Sequence, residues 1–320
     1  MTIDLLSQRP GDVTLPDGAS SRMPQSDPSW IAALREVGEE ADALVARDGE
    51  RVTGWLPFTI RRSEAGTVLS SQPYLAYGGP VVRDDDPELT RALLEAYVDL
   101  AKREGAVAVT LGTPPFLAQE TERVWRDCFA PDYVHENFVQ VSAPDALPHA
   151  EHRRQARRAA AAGFTVARND ADLTAWREIY LRRYVELGAV PYPEALQRGG
   201  ELWTARLGGT LAGGTLFLVD GTTADYYAAA YERGEYAPQN LVLETALRDF
   251  ARRGIRRVNW ESSPGRGGVY DYKRRWGAGE SRHYYYSRVL DRSLLRRSPD
   301  EIRRAFPLRF VVPFSALEPA

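Results

Sequence analysis

The spacing of hydrophobic and polar positions divides the first half of the chain into strands and helices. Short apolar and alternating runs predict strands at Ala43–Arg47, Arg51–Arg62 and Val68–Tyr77. Apolar positions three and four residues apart predict a helix over Pro87–Glu104. The almost wholly apolar run Ala106–Leu111 is typical of a strand that is buried on both faces.

The second half of the chain repeats this order. Strands are predicted at Glu201–Arg206, Thr210–Val219 and Asp225–Tyr231, a helix at Pro238–Arg253 and a further strand at Ile255–Trp260. Sliding the first half by 149 positions brings the two sets of elements into register, which indicates a duplicated unit. The expected fold class is α/β (α+β), with helices covering a mostly antiparallel sheet that also contains a parallel pair.

A break in the pattern near the middle of the chain separates two domains. The turn-forming residues Ser142–Asp145 end a strand at Phe138–Val141, and a helix follows over His149–Ala162. We therefore place an N-terminal domain at 1–147 and a C-terminal domain at 148–290.

The helix after this break carries a broad basic face. Its arginines are Arg153, Arg154, Arg157 and Arg158. Residues four apart lie on the same side of a helix, so the four guanidinium groups are close together. The face predicts either a phosphate-binding surface or a solvated helix face that makes salt bridges.

Composition narrows the classes of protein that remain. Of the 320 residues, 43% are hydrophobic and 27% are charged, which is an ordinary globular balance. No apolar run is long enough to predict a membrane span. The single cysteine, Cys128, excludes an internal disulfide and favours a cytoplasmic location. The four histidines and this cysteine show no metal-ligand spacing, so we expect no metal site. We also expect no bound cofactor.

Four groups of short segments, taken in chain order, form a combined motif. They are Thr53–Pro57 with Ser70–Tyr74 and Tyr77–Pro80; Arg153–Gly163; Leu211–Gly214 with Tyr226-Tyr227 and Tyr236–Leu241; and Tyr270–Gly277. Together they resemble the FemABX family of peptidyltransferases, and the last is similar to the family's aromatic-Lys-x-x-aromatic-Gly signature. The resemblance implies two tandem domains of the GNAT acyltransferase fold, with residues 291–320 returning to pack on the first.

The same resemblance implies an enzyme, an acyltransferase that forms an amide (peptide) bond. Its donor would be aminoacyl-tRNA, and its acceptor would be a small-molecule or peptidic amine. Two departures from the family leave the acceptor open between a peptidoglycan precursor and a natural-product intermediate. The chain lacks the family's long coiled-coil insertion, and Trp260–Ser263 occupies the place of a glycine-rich strand end.

Two other functions remain as alternatives, an acyl-CoA-dependent N-acyltransferase and a non-catalytic GNAT-like ligand-binding protein. The start of the helix at Tyr236–Val242 argues against CoA because it has no glycine pair. Pro238 also removes one N–H group that could hold a pyrophosphate.

Aminolysis of an ester needs a neutral amine, a stabilised oxyanion and a path for the proton. The resemblance places a functional lysine at Lys273, our candidate for stabilising the oxyanion or the leaving oxygen. The alternative is a surface lysine or a partner of Asp271. Glu261, at the end of an apolar strand, is the candidate general base, and the alternative is a capping or salt-bridge role.

The remaining candidates bind substrate. They are Tyr227, Asn240, Arg183, Tyr192, Arg274, Arg275 and Tyr272. Strand alternation sends the rings of Tyr226 and Tyr227 to opposite faces, so one ring faces the cleft and the other faces the core.

Overall fold

The computed structural model describes residues 2–6, 9–71, 73–74, 77–263 and 265–318. The chain divides into two compact units: unit 1 consists of Met1–Phe138 with Arg282–Ala320, and unit 2 of Val139–Ser281. These divisions fall inside two strands, whereas the sequence-based boundaries lie at 147/148 and 290/291.

The described residues form thirteen strands and eight α-helices. The strands are β1 (Thr2–Leu5), β2 (Glu40–Asp48), β3 (Arg51–Ser63), β4 (Gly66–Ser70), β5 (Val81–Val82), β6 (Ala108–Gly112), β7 (Tyr133–Ser142), β8 (Phe164–Arg168), β9 (Glu201–Leu207), β10 (Thr210–Asp220), β11 (Thr223–Tyr231), β12 (Arg257–Asn259) and β13 (Gly279–Val289). The α-helices are α1 (Pro28–Glu36), α2 (Pro87–Arg103), α3 (Gln119–Phe129), α4 (Ala150–Ala161), α5 (Leu173–Glu186), α6 (Pro238–Arg252), α7 (Gly268–Arg274) and α8 (Pro299–Ala305).

The sheet of unit 1 has the order β1-β2-β3-β4-β6-β13, with β5 paired to β3. The pair β4–β6 is parallel and the others are antiparallel. Helix α2 connects the two parallel strands. Asp86 caps its start by accepting hydrogen bonds from the backbone N–H groups of Glu88 and Leu89 at 2.9 and 3.1 Å. Gly105, at φ +62°, ends it in a left-handed conformation.

Both faces of the unit 1 sheet are covered. Leu93 and Tyr97 of α2 pack on one face together with Trp125 of α3. On the other face, Val68 and Ala108 contact the C-terminal residues 294–312. This packing fixes β4 and β6 between two apolar layers.

The sheet of unit 2 has the order β7-β12-β11-β10-β9-β8. The pair β11–β12 is parallel and α6 connects its strands, as α2 does in unit 1. Side chains alternate between two cores: Phe217 packs with α6, and the neighbouring Leu216 packs with Trp176 of α5. Each unit therefore contains the same motif of strand, helix and parallel strand, with one parallel pair in each.

Several predicted bounds differ from the observed ones. The strand predicted at Val68–Tyr77 ends at Ser70, and residues 72, 75 and 76 of it lie outside the described residues. The strand predicted at Ile255–Trp260 pairs only over Arg257–Asn259. Helices α3, α7 and α8 have no counterpart among the predicted elements. None of the helices in the described ranges is long and apolar enough to cross a membrane.

Candidate active site

In unit 2 the parallel strands β11 and β12 part toward one end. Their pairing joins Thr223–Asp225 to Arg257–Asn259; β11 then continues to Tyr231, while β12 ends. In open α/β sheets, ligands bind beyond the carboxyl ends of parallel strands. We call this parting of β11 and β12 the unit 2 fork. Tyr227 on β11 and Glu261 after β12 flank it.

Glu261 is held in an unusual backbone conformation at the fork. Its φ of 62° lies in the left-handed region, which costs a residue with a side chain about 1–2 kcal/mol. The buried Asn259 clamps it on both sides. The Glu261 N–H donates to Asn259 Oδ1 at 3.1 Å, and Asn259 Nδ2 donates to Glu261 Oε1 at 3.1 Å. Strain of this kind persists where the surroundings impose it, and it is common at functional sites.

Lys273 lies directly behind this turn. It is on α7, is only 5% exposed, and its Nζ donates to the carbonyl oxygens of Glu261 (3.1 Å) and Ser262 (2.8 Å). Burial lowers the pKa of the ammonium to about 8, although the Glu261 carboxylate opposes this shift. Asp271 pairs with Arg274 at 3.3 Å. Lys273 is therefore a buried ammonium that fixes the Glu261 turn, which argues against a surface lysine.

Two tyrosines form a wall on the other side of the fork. The rings of Tyr192 and Tyr227 are stacked, with centroids 4.8 Å apart and planes at 19°. Burial raises the pKa of both phenols, and the nearby Glu261 charge adds to the effect. Both phenols are therefore neutral at ordinary pH.

The neighbouring Tyr226 points to the opposite side of β11. Its ring packs on Phe217 at 5.9 Å and on Trp260 at 5.5 Å, within the core under α6. Of the adjacent pair, Tyr226 therefore faces the core, and Tyr227 is on the side of Tyr192.

Asn240 and Tyr272 belong to a buried network that joins three helices. The Asn240 side chain donates to Gln155 of α4 and accepts from the Tyr272 hydroxyl of α7 at 3.1 Å. The Tyr272 ring lies 4.8 Å from that of His152. Both polar groups of the Asn240 amide are used in this way, so the residue positions Tyr272 next to Lys273.

The predicted phosphate-binding arginines are distributed along α4. Arg153 is partly buried, while Arg154, Arg157 and Arg158 are exposed. Arg154 pairs with Glu151 at 2.7 Å. The side chains of Arg157 and Arg158 make no ion pair or hydrogen bond to any residue that the structure describes. Half of the basic face is thus open to an anion.

The other predicted arginines differ in their surroundings. Arg274 and Arg275 are exposed at the end of α7. Arg183 on α5 pairs with Glu186. These placements bring Lys273, Glu261, Tyr227 and Tyr192 together and leave Arg183, Arg274 and Arg275 outside that group.

Sequence reasoning missed two residues that build the site, Asn259 and Tyr180. The hydroxyl of Tyr180 accepts a hydrogen bond from the Tyr192 N–H at 2.8 Å. An asparagine at the end of an apolar strand, two positions before Glu261, was the available signal for the clamp. The contact of Tyr180 depends on the loop after α5, and no spacing in the sequence indicates it.

The corresponding fork in unit 1 is closed. The N–H of Gly112, which is offset by 149 positions from Glu261, donates to Ser71 Oγ at 3.1 Å. The N–H of Gly78 donates to the carbonyl of Gly112 at 2.9 Å. A side chain at Gly79 would lie 2.4 Å from the ring of Trp125. Hydrogen bonds and an aromatic ring thus close the fork of unit 1.

The described residues contain no group of three or more histidine, cysteine, aspartate or glutamate side chains that could hold a metal ion. At the start of α6, Ala237 provides no side-chain cap, and Pro238 takes the first helical position. This end of α6 therefore lacks the glycine-rich turn expected of a pyrophosphate site.

Comparisons with known proteins agree with this architecture. Residues 149–274 match the family model described as an acetyltransferase (GNAT) domain. No curated protein sequence matches the chain.

Solved structures give matches along most of the chain. A crystal structure of FemX superposes with a TM-score of 0.69 at 13% identity, covering 86% of this chain and 94% of FemX. The C-terminal domain of a putative lysylphosphatidylglycerol synthetase from Agrobacterium fabrum gives 0.61 at 12% identity, covering 85% and 91%. A tandem GNAT protein from the clavulanic acid pathway gives 0.52 at 15% identity, covering 90% and 98%. The expected GNAT fold and the resemblance to Fem proteins are confirmed, as is the expectation of an acyltransferase.

Proposed function

We propose that this acyltransferase of the GNAT fold transfers an aminoacyl group from aminoacyl-tRNA to an amine, through the unit 2 fork. The observation that carries the proposal is the strained Glu261 carboxylate, clamped by Asn259 and backed by the buried Lys273 ammonium. A fixed base beside a fixed positive charge suits aminolysis of an ester, which needs both. The acceptor amine belongs to a peptidoglycan precursor or a natural-product intermediate.

The proposed reaction requires no covalent enzyme intermediate. The acceptor amine gives a proton to the Glu261 carboxylate and attacks the ester carbonyl, which forms a tetrahedral oxyanion. The oxyanion lies within the field of Lys273, whose two hydrogen bonds leave one N–H for the oxyanion or the leaving oxygen. The intermediate then expels the ribose hydroxyl of the tRNA, which takes up the proton from Glu261.

The basic face of α4 supports an RNA-linked donor. Arg157 and Arg158 are exposed and lack partners among the described residues, so they can neutralise phosphates. Charge neutralisation of this kind weakens as salt increases. We therefore expect Arg157→Gln with Arg158→Gln to raise KM for charged tRNA several-fold and to reduce its dependence on salt, with kcat little changed.

The test is amide formation by the full chain, with radiolabelled aminoacyl-tRNA and candidate amines in one series and acetyl-CoA in the other. Glu261→Gln and Lys273→Met are expected to lower kcat at least tenfold, about 1.4 kcal/mol of barrier. The chain supplies a matched control, because its other lysine, Lys102, is exposed and pairs with Asp99. Lys102→Met should retain wild-type turnover. Amide product from acetyl-CoA alone would exclude the tRNA donor.

An acyl-CoA-dependent N-acyltransferase is the second candidate, favoured by the match of residues 149–274 to the acetyltransferase domain. It predicts a thermal shift with CoA and turnover that is insensitive to the α4 arginines. A non-catalytic ligand-binding protein, the third candidate, predicts binding of an amine with no product from either donor.

A further inference from the structure

We propose that the tyrosine cluster beside Glu261 binds the acceptor as an alkylammonium ion, which gives one proton to water before the neutral amine reacts. The tyrosine cluster consists of Tyr180, Tyr184, Tyr192 and Tyr227. The inference rests on the proposed function for the identity of the ion as an acceptor, but the binding itself is independent of turnover.

The cluster presents an unusual density of aromatic rings at the fork. Ring centroids are 4.8 Å apart for Tyr192 and Tyr227, and 4.1 Å apart for Tyr180 and Tyr184. Tyr180 in turn stacks on Trp176 at 5.2 Å. The faces of aromatic rings attract cations by about 0.5–2 kcal/mol each, most strongly where water is excluded.

The cluster is held in place before any ligand binds. Tyr192 is in the loop after α5, and hydrogen bonds fix its backbone at both ends. Its N–H donates to the Tyr180 hydroxyl at 2.8 Å, and Arg177 donates to its carbonyl oxygen at 3.2 Å. Arg177 is itself positioned by Gln197. A wall fixed in this way loses little conformational freedom when a ligand binds.

The charges around the cluster favour a cation over an anion. Glu261 lies two positions after Asn259 and Tyr227 two positions after Asp225, and Asn259 and Asp225 are paired between β12 and β11. The Glu261 charge adds to burial in raising the pKa of the Tyr192 and Tyr227 phenols. Arg177 and Arg183 are paired with Glu194 and Glu186, and Lys273 is directed at two carbonyl oxygens. The cluster therefore combines ring faces with one carboxylate, which suits an ammonium ion.

The ligand can reach this surface, and the surface suits an alkyl chain. Tyr184, Tyr192, Tyr227 and Glu261 are all partly exposed. The loop between Tyr184 and Tyr192 exposes apolar side chains at Leu187 and Val190. A ligand with a terminal ammonium and several methylene groups would cover both kinds of surface.

The experiment compares two molecules of equal length that differ in charge, 1-butylammonium and 1-butanol. Their binding to the full chain is measured at pH 7 by NMR titration, without any donor. We expect butylammonium to bind at least tenfold more tightly than butanol. Glu261→Gln and Tyr192→Leu should each weaken it about fivefold or more, whereas Tyr192→Phe, which keeps the ring, should remain within twofold.

Tyr133→Leu is the matched control, because Tyr133 is a partly buried tyrosine of unit 1 that packs near the C-terminal residues. It should leave butylammonium binding unchanged. Circular dichroism and thermal unfolding establish that each variant is folded. Equal affinity for butylammonium and butanol, or equal losses in Tyr192→Leu and Tyr133→Leu, would overturn the inference. Charge-selective binding without aminoacyl transfer would overturn the proposed function and leave the inference intact.

Discussion

Two residues of unit 2, Lys273 and Glu261, constrain each other through one turn of backbone. The Lys273 ammonium is buried and donates to two carbonyl oxygens. The backbone of Glu261 is left-handed, and its N–H donates to Asn259. A buried charge needs compensation, and here main-chain dipoles and one acid supply it. The same contacts place a base and a positive charge on either side of a single peptide group.

The lowered pKa of Lys273 predicts that stability depends on pH. Between about pH 8 and its unfolded value of 10.5, the unfolded chain binds the proton and the folded chain does not. The free energy of unfolding therefore gains a contribution that rises with pH, about 2 kcal/mol from pH 7.5 to 10. Urea unfolding of wild type and Lys273→Met checks this, because other titrating groups cancel in the difference. A difference that is constant across this range would contradict the prediction.

The left-handed φ of Glu261 predicts that two substitutions differ in stability although both abolish the base. Glycine adopts φ 62° without strain, and alanine does not. Glu261→Gly should therefore be about 1 kcal/mol more stable than Glu261→Ala, while both lose turnover at least tenfold. Thermal unfolding and the amide-formation assay measure the two effects. An alanine variant as stable as the glycine variant would show that the backbone is unstrained.

At the scale of elements, hydrophobic periodicity was sufficient to predict the bounds of the long helices and the hairpins. Helices α2 and α6 were predicted within about two residues because their apolar stripes are regular and a glycine follows each. The segment around Lys273 is different. Helix α7 has seven residues, which are too few to establish an apolar stripe. The sequence therefore did not distinguish a surface lysine from a functional one at Lys273.

The candidate site was predictable in its residue types and only partly in its geometry. Lys273 and Glu261 were found from a resemblance and from a strand end, but their shared turn depends on tertiary contacts. Asn240 was expected to face substrate, and it instead bonds to Gln155 and Tyr272. A polar side chain at a helix start has the same sequence signal in either role, so burial alone distinguishes them.

One ion pair connects the C-terminal segment to the elements of unit 1. Arg309 and Glu39 are paired and almost fully buried. Removing one partner of a buried pair leaves an uncompensated charge, so Arg309→Met should lower the free energy of unfolding by about 3–5 kcal/mol. The double variant Glu39→Leu with Arg309→Met should lose less than the sum of the two single variants. Additive losses in urea unfolding would mean that the two side chains do not interact.

For the whole molecule, the two units have the same strand–helix–strand motif but differ at the fork. In unit 1, Ser71 and Gly112 join the two sides, and Trp125 fills the remaining space. In unit 2, Glu261 and the tyrosine wall flank the fork, and their side chains are partly exposed. The duplication therefore provides two similar scaffolds and one candidate site.

This difference predicts that equivalent substitutions have different effects. Ser71→Ala removes the acceptor of the Gly112 N–H and should lower the free energy of unfolding by about 1 kcal/mol. Its turnover per folded molecule should stay within twofold of wild type. Asn259→Ala should lower both quantities, since the Glu261 clamp is lost. Comparable losses of turnover in the two variants would indicate that unit 1 takes part in the reaction.

The closed fork of unit 1 also has a consequence for local opening of the backbone, which amide hydrogen exchange measures. A fork that admits no substrate can stay closely packed. A fork that binds substrate must leave its backbone amides accessible to solvent. Deuterium should therefore replace the amide protons of Leu111 and Gly112 far more slowly than those of Glu261 and Ser262. On this view, the fork of one unit stays closed while the fork of the other must open.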